Sequence, residues 1–163
     1  MQTGLFLCFY SHYLLKWWEY SVIVIVGNKG KGKLSMNLEN TLINALGIEI
    51  TSLEKGKVVA TMPVDNRTRQ PFGLLHGGAS VALAETVASI GAFELVDKET
   101  ESVAGLEINA NHVRGKREGM VTAIATVLHQ GRTTMVWDIK IVDEEDKLIC
   151  VSRCTMAVIK KSK

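Results

Sequence analysis

Charge of one sign is what this chain most plainly lacks. Its 19 Lys and Arg nearly balance 17 Asp and Glu, leaving a formal net charge of +2, so the basic surface that holds nucleic acid is missing from the composition. Cysteine is scarce. Cys8, Cys150 and Cys154 are the 3 present, and no CxxC pair occurs. Cys150 and Cys154 fall in one strand-like stretch, where four residues span about 13 Å, too far for a disulfide. They are expected to be buried thiols in a reducing compartment. The metal-binding HExxH pattern is absent, and His76, His112 and His129 show no ligand spacing. No GxSxG nucleophile elbow occurs. Gly30-Lys31-Gly32-Lys33 lacks the spacing of a phosphate-binding loop. With 47% apolar and 22% charged residues, the chain is nonetheless ordinary for a globular domain, and its 163 residues suit one domain with a tail.

Aromatic residues make up only 6% and are unevenly spread. Phe6, Phe9, Tyr10, Tyr13, Trp17, Trp18 and Tyr20 crowd the start, and after Tyr20 only Phe72, Phe93 and Trp137 follow. An apolar run from Ser21 to Val26 leads into Gly27-Asn28-Lys29-Gly30-Lys31-Gly32-Lys33. The start has neither the basic opening nor the small-residue cleavage site of a signal peptide. Lys16 and Glu19 interrupt what would otherwise approach a membrane span of about 20 apolar residues. Aromatics with a basic flank also suit a membrane surface, so contact by residues 1–26 is the rival expectation. The preferred one is that residues 1–35 are an atypical extension, with translation normally starting at Met36 and the domain running over 36–163.

Within that domain, Glu39 to Leu46 reads as a short helix closed by Gly47. Ile48 to Leu53 and Lys57 to Val64 read as strands joined by Glu54-Lys55-Gly56. Pro63 places the end of the second strand there, or makes it an edge strand. Asp65 to Leu75 is a polar loop. Gly77-Gly78 then opens a long helix, Ala79 to Val96, whose apolar residues lie on nearly all sides, the mark of a buried helix. Its small residues Ala82, Ala84, Ala88 and Gly91 allow close approach. Four strands follow: Ser102 to Val113, Met120 to His129, Thr133 to Val142 and Lys147 to Ile159. Their short connections suit antiparallel neighbours. The pattern predicts an α+β domain, an antiparallel sheet wrapped around a central helix.

One segment gathers residues with chemical potential. Glu85 sits in the most apolar helix, where a lone buried carboxylate costs several kcal/mol unless it is paired or protonated; alone, it reads equally as a residue facing solvent or a subunit interface. Ser89, four residues on, shares its face. His76-Gly77-Gly78 precede the helix. First-turn N–H groups have no partner inside a helix, and its dipole favours negative charge at that end. A developing oxyanion would be held there. Gln70 adds a loop amide. Each of these alone is commonplace; together they form a constellation.

Gln70-Pro71-Phe72-Gly73-Leu74-Leu75-His76-Gly77-Gly78-Ala79-Ser80, followed by Leu83-Ala84-Glu85, resembles the hotdog-fold acyl-CoA thioesterases. The likeness is to the branch with Glu on the central helix, which includes Glu-type 4-hydroxybenzoyl-CoA and 1,4-dihydroxy-2-naphthoyl-CoA thioesterases. The stretch Val103 to Arg114 is similar to the latter. The resemblance covers Asn37 to Ile159. The phenylacetyl-CoA branch carries Asn and Asp where this chain has Gln70 and Glu85, which argues against membership there.

The resemblance implies roles. Glu85 would be nucleophile or general base, since a carboxylate can attack a thioester carbonyl or activate water. The Gly77 N–H would polarise the carbonyl. Gln70 and His76 would orient the thioester or water, and Ser89 would support the hydrolytic water. His112 would lie near the acyl pocket. Arg114, with Lys116 and Arg117, and Arg132 with Thr133 and Thr134, would hold coenzyme A. The site would be shared across a homodimer, with Gln and Glu from different subunits, and dimers would pair into a homotetramer. Thioester hydrolysis needs no metal or covalent cofactor; coenzyme A enters with the substrate. The expected enzyme is thus a cytoplasmic acyl-CoA thioesterase, with dihydroxynaphthoyl-CoA of menaquinone biosynthesis as the first substrate. The rivals are a broad housekeeping thioesterase and a non-catalytic acyl-CoA sensor, the latter disfavoured by Glu85 and by the lack of a helix-turn-helix pattern.

Overall fold

The computed structural model describes residues 38–162. The expected extension over residues 1–35, the start at Met36 and Cys8 lie outside the described residues.

Helix α1 runs Leu42–Leu46 and strands β1 and β2 run Glu49–Glu54 and Lys57–Pro63. Helix α2 runs Gly77–Phe93, followed by β3 Glu101–His112, β4 Met120–Gln130, β5 Thr134–Val142 and β6 Leu148–Lys160. The six strands form one sheet in the order β1-β2-β4-β5-β6-β3, every pairing antiparallel. α2 lies on one face of this sheet and touches all six strands.

Three helix boundaries differ from the sequence reading. α1 starts at Leu42 rather than Glu39, because Thr41 caps it: its Oγ1 accepts the Asn44 N–H at 3.3 Å, while Asn40 sits at φ 59. Gly47, at φ 67, closes α1 as expected. α2 begins two residues earlier than Ala79, since His76 serves as its cap, and ends at Phe93, short of Val96. Pro63 proves to be the last residue of an interior strand, where its missing N–H falls at the end of the ladder.

The core lies between α2 and the sheet. Leu83, Ala84, Val87 and Ala88 of α2 meet Val58, Ala60, Met62, Val121, Ala123, Ala125, Met135, Trp137, Ile139 and Ile141, all fully or nearly fully buried. Each large apolar side chain so buried contributes roughly 1.5–3 kcal/mol. The close approach expected at Gly91 is made by Trp137: a Cβ at 91 would lie 2.4 Å from its Cη2. The alternation that makes this core is strict in β5, where Met135, Trp137, Ile139 and Ile141 face α2 while Val136, Asp138 and Lys140 face away. Cys150 and Cys154 are free and buried, as the sequence suggested.

The all-round apolarity of α2 is met only in part by its own chain. Gly78, Val81, Ala82, Glu85, Thr86 and Ser89 remain partly or fully exposed, forming a stripe of small and polar residues that the sheet does not cover. β3, the edge strand beside it, carries a bulge between Gly105 and Glu107 that leaves Leu106 unpaired and 61% exposed.

Candidate active site

Gln70, His76 and Gly77 are positioned by the loop from β2 to α2. Gln70 starts a tight turn: Gly73 N–H donates to its carbonyl at 2.9 Å, and its side-chain Oε1 accepts the Phe72 N–H. That bond fixes the amide and leaves its NH2 as the group offered to a ligand. The loop is tied to the neighbouring connection by Leu75 N–H to the Lys116 carbonyl at 2.7 Å, and Arg69 donates to the carbonyls of Arg117 and Val64. Thr68, buried, spans Pro63 and Asp65 from inside.

The α2 N-terminus has one open donor. His76 Nδ1 accepts the Gly78 N–H at 2.8 Å, and the His76 carbonyl accepts from Ala79 and Ser80. Among the described residues the Gly77 N–H has no hydrogen-bond partner. Nδ1 of His76 is thus taken up by the cap. The sequence reading missed this capping role of His76; a histidine directly before Gly-Gly was the available signal.

Gly77 opens into a cleft of about 340 Å³. Leu74, Leu75, Val113 and Ile149 supply apolar walls, and Gln70, His112 and Arg114 supply polar groups. Thus the fold brings four of the candidate residues together: Gln70, Gly77, His112 and Arg114. His112, at the end of β3, stands over Gly77, with Nε2 2.8 Å from where a Cβ at 77 would be. Arg114 donates to the Leu148 carbonyl at 3.4 Å. The apolar walls from Val113 and Ile149 were not anticipated, because they depend on β3 and β6 being partners.

Glu85 is exposed and lies elsewhere. It is eight residues after Gly77, roughly 12 Å along the helix axis. Its carboxylate rests against Gly105 of β3, where a Cβ would sit 2.6 Å from Oε1. Gly105 and His112 mark the two places on β3 that Glu85 and Gly77 face, about 20 Å apart along an extended strand. One chain therefore does not bring its own Glu85 to its own Gly77. Ser89 accompanies Glu85 rather than Gly77, its hydroxyl 4.0 Å from Met156 Sδ. Burial, and then the Glu85 and Glu107 carboxylates, push the Cys154 thiol up to about 11.

Arg132 and Thr133 lie at the opposite end of the sheet from the cleft. Their turn joins β4 to β5 near the C-terminal end of α2, where Gln130 Nε2 donates to the Leu95 carbonyl at 3.4 Å. Of the other basic residues, Lys116 pairs with Glu144, and Arg117 donates to the Phe72 carbonyl at 3.3 Å. Among the described residues no group of His, Cys, Asp and Glu could hold a metal ion, and no helix is long and apolar enough to cross a membrane.

Known proteins are similar to this chain in sequence and fold. The family model described as Thioesterase superfamily matches residues 72–150. A Bacillus subtilis (strain 168) protein that carries the name esterase ComA2 is 60% identical over 77% of this chain and 100% of its own length. A 1,4-dihydroxy-2-naphthoyl-CoA hydrolase of Listeria monocytogenes is 55% identical over 78% of this chain and 100% of its own. Two crystal structures of one Staphylococcus aureus protein are similar at 45% identity. One, with a glutamate replaced by alanine, has a TM-score of 0.72 and covers 74% of this chain and 99% of that one. The other, named a thioesterase and with a glutamine replaced by alanine, has a TM-score of 0.70 and covers 72% and 97%.

Proposed function

The chain belongs to the thioesterase superfamily, and on that premise we propose that it hydrolyses the thioester of a small aromatic acyl-coenzyme A, with 1,4-dihydroxy-2-naphthoyl-CoA as the first substrate. The observation that carries this reading is the unpaired Gly77 N–H at a helix N-terminus, opening into a cleft that also holds Gln70, His112 and Arg114. A thioester carbonyl seated there would be polarised by a donor already aimed at it, and the helix dipole would favour the negative charge that develops on its oxygen.

The reaction also needs a base or nucleophile. Glu85 is the carboxylate on the open stripe of α2, with Ser89 beside it. Because it faces Gly105 and not its own Gly77, the reading takes Glu85 from a second subunit. The long edge strand β3 and the uncovered α2 stripe support such a homodimer, which pairs further into a homotetramer in the proposed assembly. The two Staphylococcus aureus structures add support: the replaced glutamine and glutamate stand as far apart in sequence as Gln70 and Glu85 do here. Glu85 would either attack the carbonyl carbon or take a proton from water; Gln70 and His76 would hold the thioester or that water. Arg114 would meet the phosphates of coenzyme A, and Arg132 and Thr133 would reach them only from another subunit. No cofactor takes part. The setting proposed is the cytoplasm and menaquinone formation.

The Listeria relative's name favours the naphthoyl substrate, whereas the Bacillus relative's name specifies no acyl group, and a broader housekeeping thioesterase is the second reading. The test is a panel of aromatic and aliphatic acyl-CoAs assayed by free-thiol release, with wild type and Glu85→Ala. Aromatic thioesters are expected to turn over fastest, and Glu85→Ala to lose about a hundredfold or more, the usual scale for a lost acid–base group. Equal rates for the two proteins would remove Glu85 from the chemistry. Uniform efficiency across the panel would favour the broader enzyme.

A further inference from the structure

Gly105 lies inside β3, an unfavourable place for glycine, which adds no side chain to pack and loses the most backbone freedom on folding. Glycine in a strand usually marks a demanding backbone angle or a close approach. The first is ruled out: Gly47, Gly56, Gly73 and Gly119 have positive φ, and Gly105 does not. The bulge that follows it is therefore not the type that needs a left-handed glycine at its first position. The second applies. A Cβ at 105 would meet Glu85 Oε1 at 2.6 Å and Glu85 Cδ at 3.7 Å, with no third neighbour within 4 Å. Gly91 offers the contrast, since there a Cβ would strike the buried ring of Trp137, a matter of core packing. Gly105 is exposed, and what occupies its missing side chain's space is the end of one carboxylate.

We propose that Gly105 is a positioning residue for Glu85: the bare backbone of β3 gives the carboxylate its seat at the edge of the sheet, and any side chain there would push it off the reacting position. This rests on the proposed reaction at Glu85. It also assigns the bulge a part. By leaving Leu106 unpaired between Gly105 and Glu107, the bulge turns Glu107 toward the face that carries its pairing partner Thr155, so that Gly105 fronts Glu85 without a second carboxylate directly beneath it.

The test uses Gly105→Ala, Glu85→Ala, Glu85→Asp and the double variants, assayed by free-thiol release beside thermal unfolding. The displaced group is a flexible side-chain end, so Gly105→Ala is expected to fold. It should lose roughly tenfold or more in kcat with KM little changed, the pattern of an interaction that matters in the transition state and not in binding. In the Glu85→Asp background, whose carboxylate is one methylene shorter and so drawn back from β3, adding Gly105→Ala should change kcat by less than about twofold, the non-additivity of residues acting through one contact. Wild-type kcat in Gly105→Ala, with Glu85→Ala inactive, would overturn the inference and leave the proposed reaction standing. So would equal losses from Gly105→Ala in the two backgrounds. Full activity in Glu85→Ala would overturn both. Should Gly105→Ala fail to fold, recovery of folding in Gly105→Ala/Glu85→Ala would support the seat, and continued misfolding would overturn it.

Discussion

The imidazole of His112 stands over the backbone of Gly77, with Nε2 2.8 Å from the point a β-carbon at 77 would occupy. Gly105, at the other part of the same strand, stands against Glu85. A single strand thus touches α2 at two places that serve different sites in the proposed dimer. Gly77→Ala would drive His112 aside and crowd the open donor, while Glu85→Ala would remove the carboxylate. Each chain alone is expected to be inactive. Unfolded together and refolded, they should regain about a quarter of wild-type activity, because random pairing makes half the dimers hybrid and each hybrid holds one intact site. No recovery on mixing, with both chains dimeric by sedimentation, would count against shared sites.

The Gly91–Trp137 contact makes a separate claim about stability. A methyl group at 91 would lie 2.4 Å from Trp137 Cη2, inside a core where the indole is fully buried. Overpacking of this kind costs about 1–3 kcal/mol, and the better helix propensity of Ala recovers only part of it, roughly 1 kcal/mol at most. Gly91→Ala should lower the urea midpoint with an unchanged slope. A midpoint at or above wild type would show that the ring can shift at no cost.

Acid should expose the Lys116–Glu144 pair. The hydrogen bond from Lys116, and then the Met120 N–H at 2.5 Å, lower the Glu144 carboxyl to about 2 from its usual 4.5. A carboxyl lowered in the folded state adds stability that is full above its unfolded value and is lost as pH falls from about 4.5 toward 2. The Glu144 carboxylate is exposed, so the effect should be small and weakened by salt. Comparing wild type with Glu144→Gln by thermal unfolding between pH 6 and pH 2.5 tests this: the difference should be greatest at the upper end and shrink in acid. A constant difference would assign the contribution to the shape of the loop.

The features legible in the sequence were those governed by spacing along one element. The all-round apolarity of α2, the strands β4, β5 and β6 between their turns, and the Gly47 cap follow from local sequence, and so does the Gly77 N–H at a helix N-terminus. What escaped was set by strand partnership. Val113 and Ile149 wall the cleft because β3 lies beside β6, and Gly105 meets Glu85 because that same pairing places β3 at the sheet edge next to α2. His76 escaped for another reason. A histidine can cap a helix or meet a substrate, and only the 2.8 Å bond from Gly78 shows that Nδ1 does the first.

Helix α2 is a ruler as well as a wall of the core. Each residue between Gly77 and Glu85 adds about 1.5 Å and 100°. Inserting or deleting one would swing the carboxylate from Gly105 toward the sheet or away from it, even with every chemical group retained. Over this stretch the number of residues is therefore more tightly bound than their identity. Descendants of this chain would lose the proposed site by changing the count.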